Sequence, residues 1–296
     1  METTELLKKV RKIEIKTRGL SSQIFSGEYH SAFKGRGMAF SEVREYVPGD
    51  AIRTIDWNVT ARFNHPYVKV FEEERELTVI LLVDVSASGE FGTKMQFKKD
   101  FVTELCAVLS FSAIQNNDKI GIIFFSDQIE KFIPPKKGKT HILRIIRELI
   151  EFQPQHKKTD IAGALRYLTN VIKKRSICFV ISDFMDDSTP LNKNMEDAFK
   201  LANKKHDIVA LQVYDERETE LPDAGIVRFR HAETGEILTV DTSDPRVRSN
   251  YKKNWDLRQR YLFETFARSG VDKALLRSDQ SYVKPLMTLF KKRGRK

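Results

Sequence analysis

The chain has 296 residues, 41% of them hydrophobic and 31% charged, with a formal net charge of +10. This composition excludes a fibrous, collagenous or wholly disordered chain, and the length suits one large α/β domain or two modest ones. The apolar runs around 77–83 and 121–125 fall far short of the roughly 18 residues of a spanning helix, and residues 1–20 are too charged for a signal-peptide core, so the expected location is the cytoplasm.

The first 70 residues are punctuated by Gly27, Gly35, Gly37, Pro48-Gly49 and Pro66, which points to a helical start followed by irregular or β-rich structure. A regular rhythm then begins. The continuous apolar run 77–83 reads as a strand buried on both faces, and 94–115 places Phe97, Phe101, Leu105, Val108 and Phe111 on one helical stripe. Residues 119–126 predict a second buried strand, and 128–133 a short partner stopped by Pro134-Pro135. Helices are expected over 140–152 and 160–173, the second with Thr159 at the N-cap position. A third long strand falls at 176–181, a helix at 195–205 and a fourth strand at 207–214. Short strands at 226–230 and 237–240 read as a hairpin, followed by a helix over 246–268, a strand at 274–276 and a last helix over 282–291. Strands alternating with helices in this way imply a doubly wound, mostly parallel sheet, whose ligands bind beyond the carboxyl ends of the strands. The domains expected are an accessory segment over 1–75, an α/β domain over 76–290 and a basic tail over 291–296.

Cys106 and Cys178 lie inside apolar periodic segments, without a C-x-x-C spacing, and read as core residues. Five of the basic residues sit in the last six positions, which read as a solvated tail. Binding of nucleic acid or an acidic surface through that tail is the alternative, and it requires an affinity that falls steeply with salt.

The first buried strand runs into Asp84-Val85-Ser86-Ala87-Ser88, one carboxylate with hydroxyls two and four residues on. These are hard oxygen donors, suited to Mg²⁺, with Mn²⁺ as the second choice, rather than to Zn²⁺. Thr159 before a helix and Asp183 at the end of the third long strand add two more. The pattern resembles the metal-ion-dependent adhesion site of von Willebrand factor A domains. The resemblance implies that Asp84, Ser86, Ser88, Thr159 and Asp183 hold the metal directly or through water, leaving one position to an acidic side chain of a partner.

The preceding segment carries Gly35-x-Gly37, Phe40-Ser41-Glu42-Val43-Arg44-Glu45-Tyr46-Val47-Pro48-Gly49-Asp50, Arg53, Ile55-Asp56-Trp57, Ala61-Arg62 and Val68-Lys69-x-Phe71-Glu72-Glu73-Glu74-Arg75. With the adhesion-site pattern, this resembles the bacterial von Willebrand A-like family catalogued as domain of unknown function 58, over about 27–290. One departure is Ala51, where a second Asp is usual. The charged residues of this segment suit internal ion pairs and Trp57 a packing anchor. The other reading is a partner surface at Arg53, Asp56, Trp57 and Arg62. The resemblance further implies a MoxR-type AAA+ ATPase as partner, in a chaperone-like role in complex assembly.

Other motifs fail. Gly138-Lys139-Thr140 lacks the earlier glycine of a phosphate-binding loop, since Ile133 stands there, and no Gly-x-Ser-x-Gly elbow occurs. A phosphatase of the haloacid dehalogenase type needs a second Asp two residues after Asp84 as general acid, and that residue is Ser86. The expectation is a non-enzymatic interaction module.

Overall fold

The computed structural model describes residues 10–14, 16–17, 39–72, 77–86, 98–185, 193–230 and 236–294. They fall into two compact units, one within residues 34–77 and one formed by the rest. Gly27, Gly35, Gly37, Ser88, residues 73–76 and the last two residues lie outside the described set.

In the smaller unit β1 (Ala39–Glu45) pairs antiparallel with β2 (Tyr67–Glu72), with Val43 opposite Lys69. Asp50 shapes the turn after β1: its carboxylate accepts from the Val47 amide at 2.9 Å and from both ends of the Arg44 guanidinium at 2.8 and 2.7 Å. A 3-10 turn at Ile52–Thr54 leads to α1 (Trp57–Phe63). Asp56 starts α1 by accepting from the amides of Asn58 and Val59, and α1 stops where Asn64 turns left-handed at φ 57°.

The larger unit is built on β3 (Thr78–Asp84), β4 (Lys119–Phe125), β5 (Ile129–Lys136), β6 (Ile177–Ser182), β7 (Asp207–Tyr214) and β10 (Asp272–Arg277), in the order β10-β7-β6-β3-β4-β5. The first five in that order are parallel and β5 is antiparallel to β4. The expected doubly wound, mostly parallel α/β sheet is therefore present. The hairpin of β8 (Ile226–Arg230) and β9 (Ile237–Asp241) stands as a separate two-stranded sheet.

Helices cover both faces. Alternate residues of a strand point to opposite faces, and Ile80 and Leu82 of β3 join a core with α4 (Ile161–Val171), α5 (Lys193–Lys205) and α7 (Pro245–Arg268). The other face carries α2 (Lys98–Gln115), α3 (Lys139–Glu151) and α8 (Val283–Gly294), with Phe179 edge-on to Phe290 and Phe101 edge-on to Tyr282. Expected to bury one stripe, α2 is instead buried almost all round from Thr103 to Ala113. The helical residues 10–14 and 16–17 join this unit: Lys16 pairs with Glu104 of α2 and Glu14 with Lys139 of α3, both at 2.6 Å.

Three expectations need correction. The prolines do not stop β5, which runs through Pro134 and Pro135, because an edge strand can lose ladder donors on its free side. The β5 backbone crosses so close to Gly121 that a Cβ there would lie 2.8 Å from the Pro135 nitrogen. Thr159 does not cap α4; Asp160 does, accepting from the Gly163 amide at 2.8 Å. Finally, Arg293 belongs to α8 rather than to a solvated tail, and its guanidinium bridges Asp207 and Asp272. Among the described residues no helix is long and apolar enough to cross a membrane.

Candidate metal centre

The carboxyl ends of β3 and β6 are neighbours, with Val83 opposite Ile181, so Asp84 and Ser182 leave the sheet side by side. The Ser182 hydroxyl donates to Asp84 Oδ2 at 2.6 Å. Asp84 Oδ1 accepts from the Ser86 amide at 3.0 Å, which turns the chain after β3 and buries Ser86. Beyond Ser182 the chain makes a second tight turn. Ser182 Oγ also accepts from the Phe184 amide, Asp183 Oδ1 accepts from the Met185 amide at 3.0 Å, and Phe184 sits left-handed at φ 57°. That conformation is unfavourable for an aromatic residue. It is held by the packing of the Phe184 ring against Phe199 and Phe266.

Thr159 lies beyond the carboxyl end of β4, the neighbour of β3 on the side away from β6. The Asp160 amide donates to the Ser126 carbonyl at 2.9 Å, fastening this loop just past the end of β4. With capping assigned to Asp160, the Thr159 hydroxyl is free of that task. It is buried, and among the described residues Oγ1 has no hydrogen-bond partner. An orphaned buried hydroxyl costs about 1–3 kcal/mol, so its position calls for a ligand.

Asp183 has a partner that the sequence reading missed. Its Oδ2 lies 3.1 Å from the ammonium of Lys98, which is only 3% exposed and also pairs with Glu218. Glu218 is delivered by α6 (Glu216–Thr219), a single turn closed by a capping box between Asp215 and Glu218. Burial opposes the Lys98 charge, but the pull of Asp183 and Glu218 outweighs it and the ammonium is held charged. Burial, only partly offset by Lys98, raises the Glu218 pKa. Burial, followed by the charge of Asp183, pushes Asp84 up to about 6 against the hydrogen bonds from Ser182 and Ser86.

Asp183 and Glu218 share the ammonium of Lys98, and Asp183 also acts on Asp84, so among the described residues these three carboxylates and one ammonium carry an excess of two negative charges when all are ionised. That excess matches a divalent ion, and the donors nearest Asp84 are the neutral hydroxyls of a hard oxygen site. Asp84, Ser86 and Thr159 therefore fit Mg²⁺ or Mn²⁺, whereas one oxygen of Asp183 already belongs to Lys98. A cavity of about 60 Å³ opens beside Asp84 and Ser86, between α2 and α3. That is room for a water or two. Ser88, the remaining expected ligand, lies outside the described residues. Among the described residues no group of three or more His, Cys, Asp and Glu side chains could hold a metal, and both cysteines are buried with their thiols pushed up by burial.

The residues suggested as a partner surface lie in the smaller unit. Asp56 is occupied as the cap of α1 and by Lys69 at 3.5 Å. Trp57 is 65% exposed, so it is no packing anchor, and Arg53 and Arg62 are exposed without ion pairs among the described residues.

Comparison with known proteins places these features in context. The model of a family described as a protein of unknown function, DUF58, matches residues 42–260. The uncharacterised protein Rv1480 of Mycobacterium tuberculosis is 27% identical over 297 residues, covering 100% of this chain and 92% of that protein. A solved structure described as an aerotolerance-related membrane protein from Bacteroides fragilis superposes with a TM-score of 0.51 at 15% identity, covering 74% of this chain and 98% of that one. The von Willebrand factor A domain of SpRpn10 superposes with a TM-score of 0.41 at 10% identity, over 74% of this chain and 95% of that one.

Proposed function

We propose that this chain, which belongs to the family of proteins of unknown function DUF58, is a non-enzymatic module that captures a partner protein through a divalent cation. The observation that carries the reading is the buried hydroxyl of Thr159, without a hydrogen-bond partner among the described residues, at the same carboxyl end of the sheet as the buried carboxylate of Asp84. Asp84, Ser86 and Thr159 would hold Mg²⁺ or Mn²⁺, joined by Ser88 according to the adhesion-site resemblance. Asp183, anchored by Lys98, would act on the ion's waters. When bound, the ion supplies a coordination position for a carboxylate of the partner.

Among the described residues no general acid or nucleophile of a phosphatase stands beside Asp84. Ser86 occupies the place where a haloacid dehalogenase-type phosphatase needs its general acid, and a serine hydroxyl cannot serve as that acid. The family resemblance names the partner as a MoxR-type AAA+ ATPase and the role as chaperone-like complex assembly. Exposed Arg53, Trp57 and Arg62 are of the residue types that anchor protein interfaces and would add a second contact. The test is co-purification from native cells in Mg²⁺ and in EDTA. The reading requires an ATPase that is retained in Mg²⁺ and released by chelator; retention unchanged in EDTA would overturn the metal-bridged mechanism.

A further inference from the structure

At the edge of the sheet away from β5, β10 pairs among the described residues with β7 on one side only. A groove of about 1020 Å³ runs along it between α7 and α8. Four successive residues, Asp272, Lys273, Ala274 and Leu275, line this groove. Side chains alternate across a sheet, so four in a row can line one groove only where it follows the open backbone edge of the strand. Phe266, Val271 and Leu289 make its floor apolar.

Its charge is one-sided. Lys273, Lys284 and Lys292 line the groove and form no ion pair among the described residues. The one carboxylate in the lining, Asp272, is held by Arg293 at 2.6 Å. The ammonium of Lys273 lies 3.1 Å from the centroid of the Phe263 ring, and burial together with the charge of Lys292 lowers its pKa to about 8. A cation–π contact only partly replaces a counter-ion.

We propose that this groove docks an extended acidic peptide of a partner protein, which adds as a strand beside β10 and sets carboxylates against Lys273, Lys284 and Lys292. Strand addition supplies backbone partners on the side of β10 where no strand pairs among the described residues, and pockets along the edge read alternate side chains. A phosphate polymer would meet the lysines but would leave the backbone edge and the apolar floor unused. A second copy of this chain offers the lysines no carboxylates, because antiparallel pairing of two β10 edges about Leu275 would set Lys273 of each against Arg277 of the other. The proposal is independent of the metal reading.

The experiment uses the full chain in EDTA with a fluorescently labelled Glu-Val-Glu-Val-Glu-Val peptide, followed by anisotropy and by amide shifts in NMR. Saturable binding is expected, with shifts concentrated at 272–277. About tenfold weakening is expected in Lys284→Glu/Lys292→Glu, both exposed positions whose substitution leaves the core alone. The same peptide N-methylated at alternate residues keeps its charge but loses backbone donors, and should bind at least tenfold more weakly. Equal binding of the N-methylated peptide, full displacement by inorganic polyphosphate with the same sensitivity to the two substitutions, or no binding at all would each overturn the proposal.

Discussion

Replacing Lys98 with Met keeps most of the apolar stem, ends one atom short of the ammonium, and removes the charge together with its hydrogen bonds to Asp183 and Glu218. Asp183 and Glu218 then face each other and Asp84 without a cation, in a region where Lys98 is 3% exposed. Removing one partner of a buried ion pair costs about 3–5 kcal/mol. Glu218 can relieve part of this by taking up a proton, since burial already raises its pKa, so about 3 kcal/mol is expected at pH 7. At roughly 2–4 °C per kcal/mol for a unit of this size, the melting temperature should fall by about 6–12 °C. The assay is thermal and urea unfolding of wild type and Lys98→Met in EDTA between pH 5 and 8. A carboxylate whose pKa is raised in the fold favours the folded state as pH falls, so the deficit of the variant should shrink toward pH 5. Lys98→Met/Glu218→Gln should recover about half of the loss, because one charge of each sign is then absent. A single variant melting within about 2 °C of wild type would refute the buried cluster.

Three other outcomes follow from the packing. His206 is buried against Ser176, with burial first and then the charges of Lys205 and Arg175 lowering its pKa to about 4. Its neutral form therefore supports the fold fully above about pH 6.5, and at most about 3 kcal/mol should be lost between there and pH 4. His206→Gln should flatten that limb in urea midpoints measured against pH. Gly121→Ala sets a Cβ 2.8 Å from the Pro135 nitrogen and 2.9 Å from the Ile133 carbonyl oxygen; it should destabilise by about 1–3 kcal/mol and raise amide exchange along β5. Thr159→Val and Asp160→Ala should diverge in chelator. The first removes an orphaned hydroxyl and gains up to about 1 kcal/mol, and the second deletes the α4 cap and loses about 1 kcal/mol. Urea midpoints decide both.

The strands were legible because parallel strands buried on both faces read as continuous apolar runs: 77–83, 119–126 and 207–214 became β3, β4 and β7 within a residue or two. β5 was cut short because a rule about central strands was applied to an edge. The ends of the strands showed where to look, and Asp84, Ser86, Thr159 and Asp183 all follow or flank the carboxyl ends of β3, β4 and β6. Thr159 was mistaken for a cap because Thr and Asp are both good caps, and only the Asp160–Gly163 contact separates them. Lys98 escaped notice although it lies in phase with Phe101 and Leu105, where a charge on an apolar stripe signals a buried partner. Glu218 was readable as the far end of an Asp-x-x-Glu capping box. Its meeting with Asp183 joins residues from two strand ends, which no local pattern contains.

The most direct measurement is titration of Mn²⁺ into the full chain, with free ion followed by electron paramagnetic resonance. Wild type should take up one ion in saturable fashion, Mg²⁺ should compete for it, and Asp84→Asn and Thr159→Val should each weaken uptake by at least tenfold while remaining folded. Uptake by Asp84→Asn equal to wild type, or no saturable uptake by wild type, would contradict a divalent cation at this sheet edge.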